Sequence, residues 1–553
     1  MQRRTPISFV VAMTVLSFAL TAGAQTSIDG AELALCSSGK ALGKAWVFDT
    51  NGFVGTYVQL DAPGEVSVNA EVDQPNLVEL VIGDARVRAR ADGRFALAAG
   101  THFVRIQHSN HTPGADVTIR SLTVSGATVK NEPSDANALA AADTYIANGR
   151  RGTATVKLEG VAPGTQVRAK LTRHAFIFGT AVGGFGSPNE LFVGPPGSDQ
   201  DHYAKAVLKH FQAIVPGNAG KWDSNERERG RPTMQYIDWL RDFAKTNGLR
   251  MRMHALIWNT GQQPKWAIEL VNAAARGDAK AKEDLRRAIG ERIKYYVRDR
   301  ATSYDQMDVL NEPLHQSKYW DIFGADSIAD IYREAQQAII DAGAHTRLCV
   351  NEYNILQYSS RPPFKRGAEP DPYANWYREW VEQVQAANGP VGGIGVQYYA
   401  FTETDIPSPH SAARIFGVFQ NLSVSGLPII LSEFGVKTKC DPKRVPDILE
   451  DAMRVSFGTP DSTGFILWGF WRKELWGPAK GAAFYEDDWA PTDACKRWDE
   501  LMSRWTTDET LTVSPEGTIT FTGYFGDYEL SAGDRTIPLT LVKGQSQYTA
   551  GAR

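Results

Sequence analysis

From His174 onward the sequence alternates short apolar runs with amphipathic stretches eight times, and few folds accept that pattern. The apolar runs are 176–182, 213–216, 251–258, 306–310, 348–351, 394–398, 429–433 and 465–468. Most are nearly continuous in hydrophobicity, as a parallel strand covered on both faces requires. Helix-period segments lie between them, and in one Tyr203, Val207, Leu208 and Phe211 are expected to share a face. Eight such units over roughly 330 residues predict a (β/α)8 TIM barrel, of α/β class, with insertions. A doubly wound sheet is the competing arrangement. Its usual phosphate-binding signature is missing, because Gly179-Thr180-Ala181-Val182-Gly183-Gly184 has neither the spacing nor a P-loop lysine.

Two runs end abruptly on a carboxylate. Met307-Asp308-Val309-Leu310-Asn311-Glu312-Pro313 delivers Glu312, and Pro428-Ile429-Ile430-Leu431-Ser432-Glu433-Phe434-Gly435 delivers Glu433. A lone glutamate after an apolar run is more often the solvated first residue of a loop. Two of them at strand ends of one barrel are another matter, since barrel active sites gather there. The pair reads as the acid/base, Glu312, and the nucleophile, Glu433, of a retaining glycoside hydrolase.

The other strand ends add hydrogen-bonding groups and aromatic rings. Asn218, Lys221, Trp222 and Asp223 follow strand two, and strand three carries His254 and Trp258. Asn311 closes strand four, Asn351 and Tyr353 strand five, Gln397 and Tyr399 strand six, and Trp468 strand eight, with Trp476 beyond it. Such a mouth suits a neutral, polyhydroxylated ligand. Asn218, Lys221, Trp222, His254, Trp258, Asn311, Gln397, Tyr399, Trp468 and Trp476 are the candidate substrate-binding residues. For His254 a satisfied core histidine is the alternative. No His, Cys or acidic cluster has metal-ligand spacing, so neither metal nor cofactor is expected.

Residues 174–505 resemble glycoside hydrolase family 10, the xylanase family of clan A. The similar segments run in order: Phe176 to Val182, Asn218-Ala219-Gly220-Lys221-Trp222-Asp223, Met253-His254-Ala255-Leu256-Ile257-Trp258, Asp308 to Glu312, Gly393-Ile394-Gly395-Val396-Gln397, then Glu433 and Trp468. The resemblance implies retaining hydrolysis of internal β-1,4 linkages in a xylan-type polysaccharide. It further implies that Asn218, Lys221 and His254 hold hydroxyls on the non-reducing side, and Asn311 the 2-hydroxyl of the sugar attacked. Four positions depart from the family pattern: Gly217 for Glu, Asn259 for His, Tyr399 for His and Gly435 for Asp. The last two are lost together, which predicts that the Tyr399 hydroxyl reaches Glu433 directly while Gly435 leaves room for the ring. Family 5 of the same clan, another β-linked glycan such as mannan or β-glucan, and non-catalytic glycan binding are the alternatives.

With 553 residues the chain exceeds one compact core, so further domains are expected. Residues 1–24 read as a secretory signal: Arg3 and Arg4, an apolar run from Ile7 to Leu20, and Ala22-Gly23-Ala24 before Gln25. The run is short for a membrane span, so the expectation is a secreted or periplasmic protein without an anchor. Residues 27–128 are strand-like, with Val66, Val68, Ala70 and Val72 alternating with polar neighbours, and predict a β-sandwich. Trp46, Phe48, Phe53 and Tyr57 form either a carbohydrate-binding face or a core, and a binding module would be dispensable for soluble substrate. Residues 129–172 read as a connector, with a helix capped by Ser134, and lead-in strands. The barrel domain spans 173–506, and 507–553 form a small β extension. A net charge of −4 gives no pull toward nucleic acid. Cys36, Cys349, Cys440 and Cys495 are scattered; free buried thiols are expected, with Cys440 to Cys495 the conceivable pair.

Overall fold

Eight parallel strands close on themselves in the computed structural model, which describes residues 25–356, 372–400, 410–438, 440–477 and 480–551. The apolar N-terminal run lies outside the described residues. The barrel strands are β1 (Ile177–Val182), β2 (Ala213–Pro216), β3 (Arg250–Met253, resuming as Ile257–Trp258), β4 (Gln306–Asn311), β5 (Arg347–Glu352), β6 (Gly393–Ala400), β7 (Ile429–Val436) and β8 (Ser462–Leu467). Ile177 of β1 pairs with Gly464 of β8 and closes the ring. β1, β4, β6 and β7 are buried at every position, which is why their sequences lack a polar alternation.

Three differences from the sequence pattern matter. The 251–258 run is one stretch in sequence but two strand segments in space. Residues 254–256 leave the ladder, and the Leu256 amide rejoins it by donating to the Asp308 carbonyl at 2.8 Å. β6 and β7 extend past their apolar runs, with a register shift between Val396 and Gln397 that sets Gln397 opposite Glu433 and Tyr399 opposite Gly435. In the helix Asp199–His210, Leu208 falls off the inner face and is 43% exposed, while Tyr203, Ala206, Val207 and His210 are buried. Five residues from Tyr203 is about 140° around a helix, too far to share its face.

The N-terminal strands from Thr26 to Lys130 form two facing six-stranded sheets. Strand Gly52–Leu60 is buried on both faces. Val54 and Val58 point into the sandwich core, whereas Phe53 and Tyr57 point outward against the barrel. There Tyr57 and Phe103 pack on Phe416 of the helix Ala412–Leu422, with ring centroids 5.7 and 5.3 Å away. Arg105 donates to the Gln420 carbonyl at 2.9 Å, and Arg378 donates to the Asn51 carbonyl. Trp46, Phe48, Phe53 and Tyr57 are all buried, so none belongs to an exposed binding face. The sandwich thus packs directly on the barrel through aromatic rings and two guanidinium groups.

The helix Asp135–Gly149 starts at Ser134, whose hydroxyl accepts from the Asn137 amide at 3.3 Å. The lead-in strands and the C-terminal extension, separate in sequence, make one small two-sheet unit. Arg151–Glu159 pairs with Thr518–Tyr524 and Gln547–Gly551, and Gln166–His174 pairs with Asp508–Thr512 and Gly526–Ala532. Cys36 is half-buried, and Cys349, Cys440 and Cys495 are buried. Among the described residues no helix is long and apolar enough to cross a membrane.

Candidate active site

The C-terminal strand ends surround a cleft of about 920 Å³, lined among others by Asn218, Lys221, His254, Trp258, Glu312, Tyr353, Gln397, Tyr399, Glu433, Trp468 and Trp476. Both glutamates therefore open into one space.

Glu312 follows β4 with φ of 56°, a left-handed conformation that non-glycine residues rarely adopt. Its amide donates to the Asn351 carbonyl at 2.6 Å, which fixes that turn. Its carboxylate accepts from Gln397 Nε2 at 2.9 Å and Trp258 Nε1 at 2.8 Å. Burial and the neighbouring Glu352 carboxylate push its pKa up to about 8, against the opposing effect of those two donors. Glu352 is itself buried and accepts from the Leu314 and Tyr353 amides and from His315 Nδ1.

Glu433 stands in a different setting. The Tyr399 hydroxyl donates to its Oε2 at 2.6 Å and Asn351 Nδ2 to its Oε1 at 2.8 Å. Burial raises its pKa, while His254, the two hydrogen bonds and Lys221 all pull the other way. The groups around Glu433 thus oppose the rise that burial imposes on it, whereas the charge beside Glu312 adds to the rise. Burial also lowers Lys221 to about 8.

The remaining predicted residues divide by what they touch. Lys221 Nζ donates to Asn218 Oδ1 at 3.0 Å, so these two form one wall. His254 lies against Trp468 with centroids 5.1 Å apart. Its Nδ1 is 2.9 Å from Asp308 Oδ2, so Nδ1 carries the proton and Nε2 is left as the other ring nitrogen. Trp258 and Gln397, expected as sugar contacts, hold Glu312. Asn311 is buried beneath the cleft; its Oδ1 accepts from Asn351 Nδ2 at 2.8 Å, and its own Nδ2 has no partner among the described residues. Trp476 is 58% exposed on the rim, where Lys437 Nζ sits 4.8 Å above its ring. Trp222 does not reach the cleft. It is buried, donates to Glu226 Oε2 at 2.8 Å and packs edge-on to Trp266. A tryptophan beside a binding lysine carries no sequence mark of which way it turns.

Several supports of the site carry little mark in the sequence. Arg252 forks onto Asp308 with both side chains fully buried, and Asp308 in turn orients His254. The signal was present, since Asp308 interrupts an apolar strand and a buried carboxylate needs a counter-charge. Asn351, at the end of β5, does more than line a strand end. It links Asn311 to Glu433 and accepts from the Ser432 hydroxyl, and Gly395 makes room for it, because a Cβ there would lie 2.7 Å from Asn351 Oδ1. Away from the cleft, His210, Cys495 and Asp499 come within 4.8 Å of one another. Both His210 nitrogens are occupied there, Nδ1 by Asp499 and Nε2 by the Tyr485 hydroxyl.

The chain matches the family described as glycosyl hydrolase family 10 over residues 175–500. It is 28% identical over 384 residues to "Anti-sigma-I factor RsgI6" of Acetivibrio thermocellus, covering 69% of this chain and 44% of that protein. It is 28% identical over 365 residues to "Endo-1,4-beta-xylanase 1" of Arabidopsis thaliana, covering 66% of this chain and 34% of that one. The chain thus spans less than half the length of these relatives. Among solved structures, xylanase 10B from Thermotoga petrophila in complex with xylobiose is similar at 21% identity, with a TM-score of 0.48, covering 60% of this chain and 94% of that one.

Proposed function

The chain belongs to glycosyl hydrolase family 10, and from that premise we propose that it is a retaining endo-β-1,4-xylanase acting on xylan-type polysaccharide. The observation that carries this reading is the contrast between two carboxylates in one cleft. Glu433, held by Tyr399 and Asn351, attacks the anomeric carbon. Glu312, with its pKa pushed up to about 8, gives its proton to the leaving oxygen and then takes one from the water that releases the glycosyl-enzyme. Asn311 Nδ2, an unpartnered donor at the end of β4, serves the 2-hydroxyl of the sugar attacked. The curated relatives named as xylanases support the substrate class. The proposal includes export, on the strength of the charged, apolar and small-residue segments of residues 1–24.

One relative is named as an anti-sigma factor and not as an enzyme, so binding without turnover is the second reading. The presence of both glutamates favours catalysis. Release of reducing sugar from xylan, glucuronoxylan, mannan and β-glucan separates the two. Glu433→Ala should abolish release, and Glu312→Ala should spare aryl glycosides whose leaving groups need no proton. Full activity in Glu433→Ala would remove the nucleophile assignment.

A further inference from the structure

Glu474 lies in the segment after β8 and lines the cleft, yet no role in the reaction described above falls to it. Among the described residues its carboxylate accepts no hydrogen bond and pairs with no cation. Partial burial, and after it the second anion Glu190, raises its pKa. Glu190 is already engaged by the amides of Phe185, Gly186 and Ser187. A carboxylate kept near like charge and given no donor is not placed for stability.

Its position is defined by a glycine. Gly183 directly follows β1, and a Cβ there would stand 2.6 Å from Glu474 Oε2. Gly183 is pinned by the Tyr203 and Tyr236 hydroxyls at 3.1 Å each, so the carboxylate rests on a rigid floor. Gly217, after β2, donates to the Val182 carbonyl at 3.1 Å and therefore adjoins this floor. A Cβ on Gly217 would meet only Val182 O, at 3.4 Å, so space opens between Glu474 and the wall that begins at Asn218.

That wall has donors in excess. Lys221 brings an ammonium group with no acceptor capacity, and Asn218 Oδ1 is already taken by it. A sugar hydroxyl both donates and accepts, so a ring held by Lys221 needs an acceptor across from it. We propose that Glu474 is a sugar-binding residue at the end of the cleft marked by Asn218 and Lys221, accepting hydrogen bonds from hydroxyls of the sugar unit next beyond the one attacked.

The inference rests on the proposed xylanase reading and is tested by substrate length. Glu474→Ala and Glu474→Gln are compared with the parent on aryl β-xyloside, β-xylobioside and β-xylotrioside, with folding checked by thermal denaturation. The monosaccharide does not reach Glu474, so its kcat/KM should be unchanged. On the two longer substrates Glu474→Ala should lose about tenfold or more in kcat/KM, through KM, as for one hydrogen bond to a charged group. Glu474→Gln should retain part of this through its amide oxygen. Equal loss on all three substrates, or no loss on any, would overturn the proposal. If the parent cleaves none of the three, the xylan reading fails, and the same comparison on aryl glucoside with cellobioside, and aryl mannoside with mannobioside, decides Glu474 separately.

Discussion

The Tyr399 hydroxyl donates to Glu433 Oε2 across 2.6 Å, and the β6–β7 register sets Tyr399 opposite Gly435, which has no side chain to compete for the space. This bond favours the ionised nucleophile. Tyr399→Phe should lower kcat by about 10- to 100-fold, the equivalent of about 1.5–3 kcal/mol for a hydrogen bond to a charged group. The unfolding temperature should barely move, because the ring keeps its packing against Trp476 and Lys437. Tyr399→His should not recover the rate, since Gly435 offers an imidazole nothing to bond. Parent-like turnover in Tyr399→Phe would dismiss the role.

That relationship was legible in the sequence because a paired loss is informative. Two residues of one network had changed together, and a hydroxyl was the chemical remainder. The barrel was legible for a similar reason, since strands covered on both faces leave runs that are mostly apolar. What escaped was whatever depends on the direction of a side chain or on partners distant in sequence. Trp222 and Trp258 look equivalent as text, yet one bonds Glu226 in the interior and the other holds Glu312. The lead-in strands and the C-terminal extension are separated by the whole barrel, so nothing local announces that Arg151 lies opposite Tyr524. Phe53 and Tyr57 showed apolar character but not that their strand is covered on its outer face.

Glu312 predicts a distinctive pH dependence. In the proposed reaction its proton goes to the leaving oxygen, and its pKa stands at about 8. The alkaline limb of kcat/KM on unactivated oligosaccharides should fall near that value and vanish for Glu312→Ala on activated aryl glycosides. Gln397 stabilises the ionised form, so Gln397→Ala should move the limb to higher pH. Stability follows the same sign. A carboxyl whose folded pKa is raised contributes fully below its unfolded value and progressively less as pH rises toward the folded one. The difference in unfolding temperature between Glu312→Gln and the parent should therefore shift in favour of the variant between about pH 5 and about pH 8. A difference independent of pH would contradict the shifted pKa.

Beneath the cleft, Arg252 and Asp308 are both fully buried, and Asp308 also accepts from His254. Burial opposes ionisation of Asp308, but Arg252 and His254 outweigh it and hold its pKa below the ordinary carboxylate range. Asp308→Asn leaves the Arg252 cation without a counter-charge, which should cost about 3–5 kcal/mol in urea unfolding at neutral pH. The parent loses this contribution as pH falls below the usual aspartate range, so the two proteins should converge in acid. The variant should also bind oligosaccharide more weakly, because His254 loses the group that orients it. Unchanged stability at pH 7 would mean that Arg252 finds another partner.

The sandwich is held to the barrel by the same kind of contact that builds a core. Phe103 lies 5.0 Å from Tyr57, 6.2 Å from Phe53 and 5.3 Å from Phe416, and the first three of these rings belong to the sandwich while the fourth belongs to a barrel helix. Arg105 and Arg378 cross the boundary in opposite directions to reach carbonyl groups. Phe103→Ala should therefore cost about 3–5 kcal/mol, the usual range for truncating a buried aromatic. Its kcat on soluble xylo-oligosaccharides at low temperature should remain that of the parent, because none of these residues lines the cleft. Deletion of residues up to 130 should have the larger effect, exposing Phe416 and stripping Arg378 of the Asn51 carbonyl. The truncated chain should unfold at a markedly lower temperature or aggregate on expression. A tethered binding module would behave in the opposite way, with stability and soluble-substrate activity retained and only hydrolysis of insoluble polymer reduced. Measuring both quantities on the truncated chain decides whether the sandwich braces the barrel or merely accompanies it.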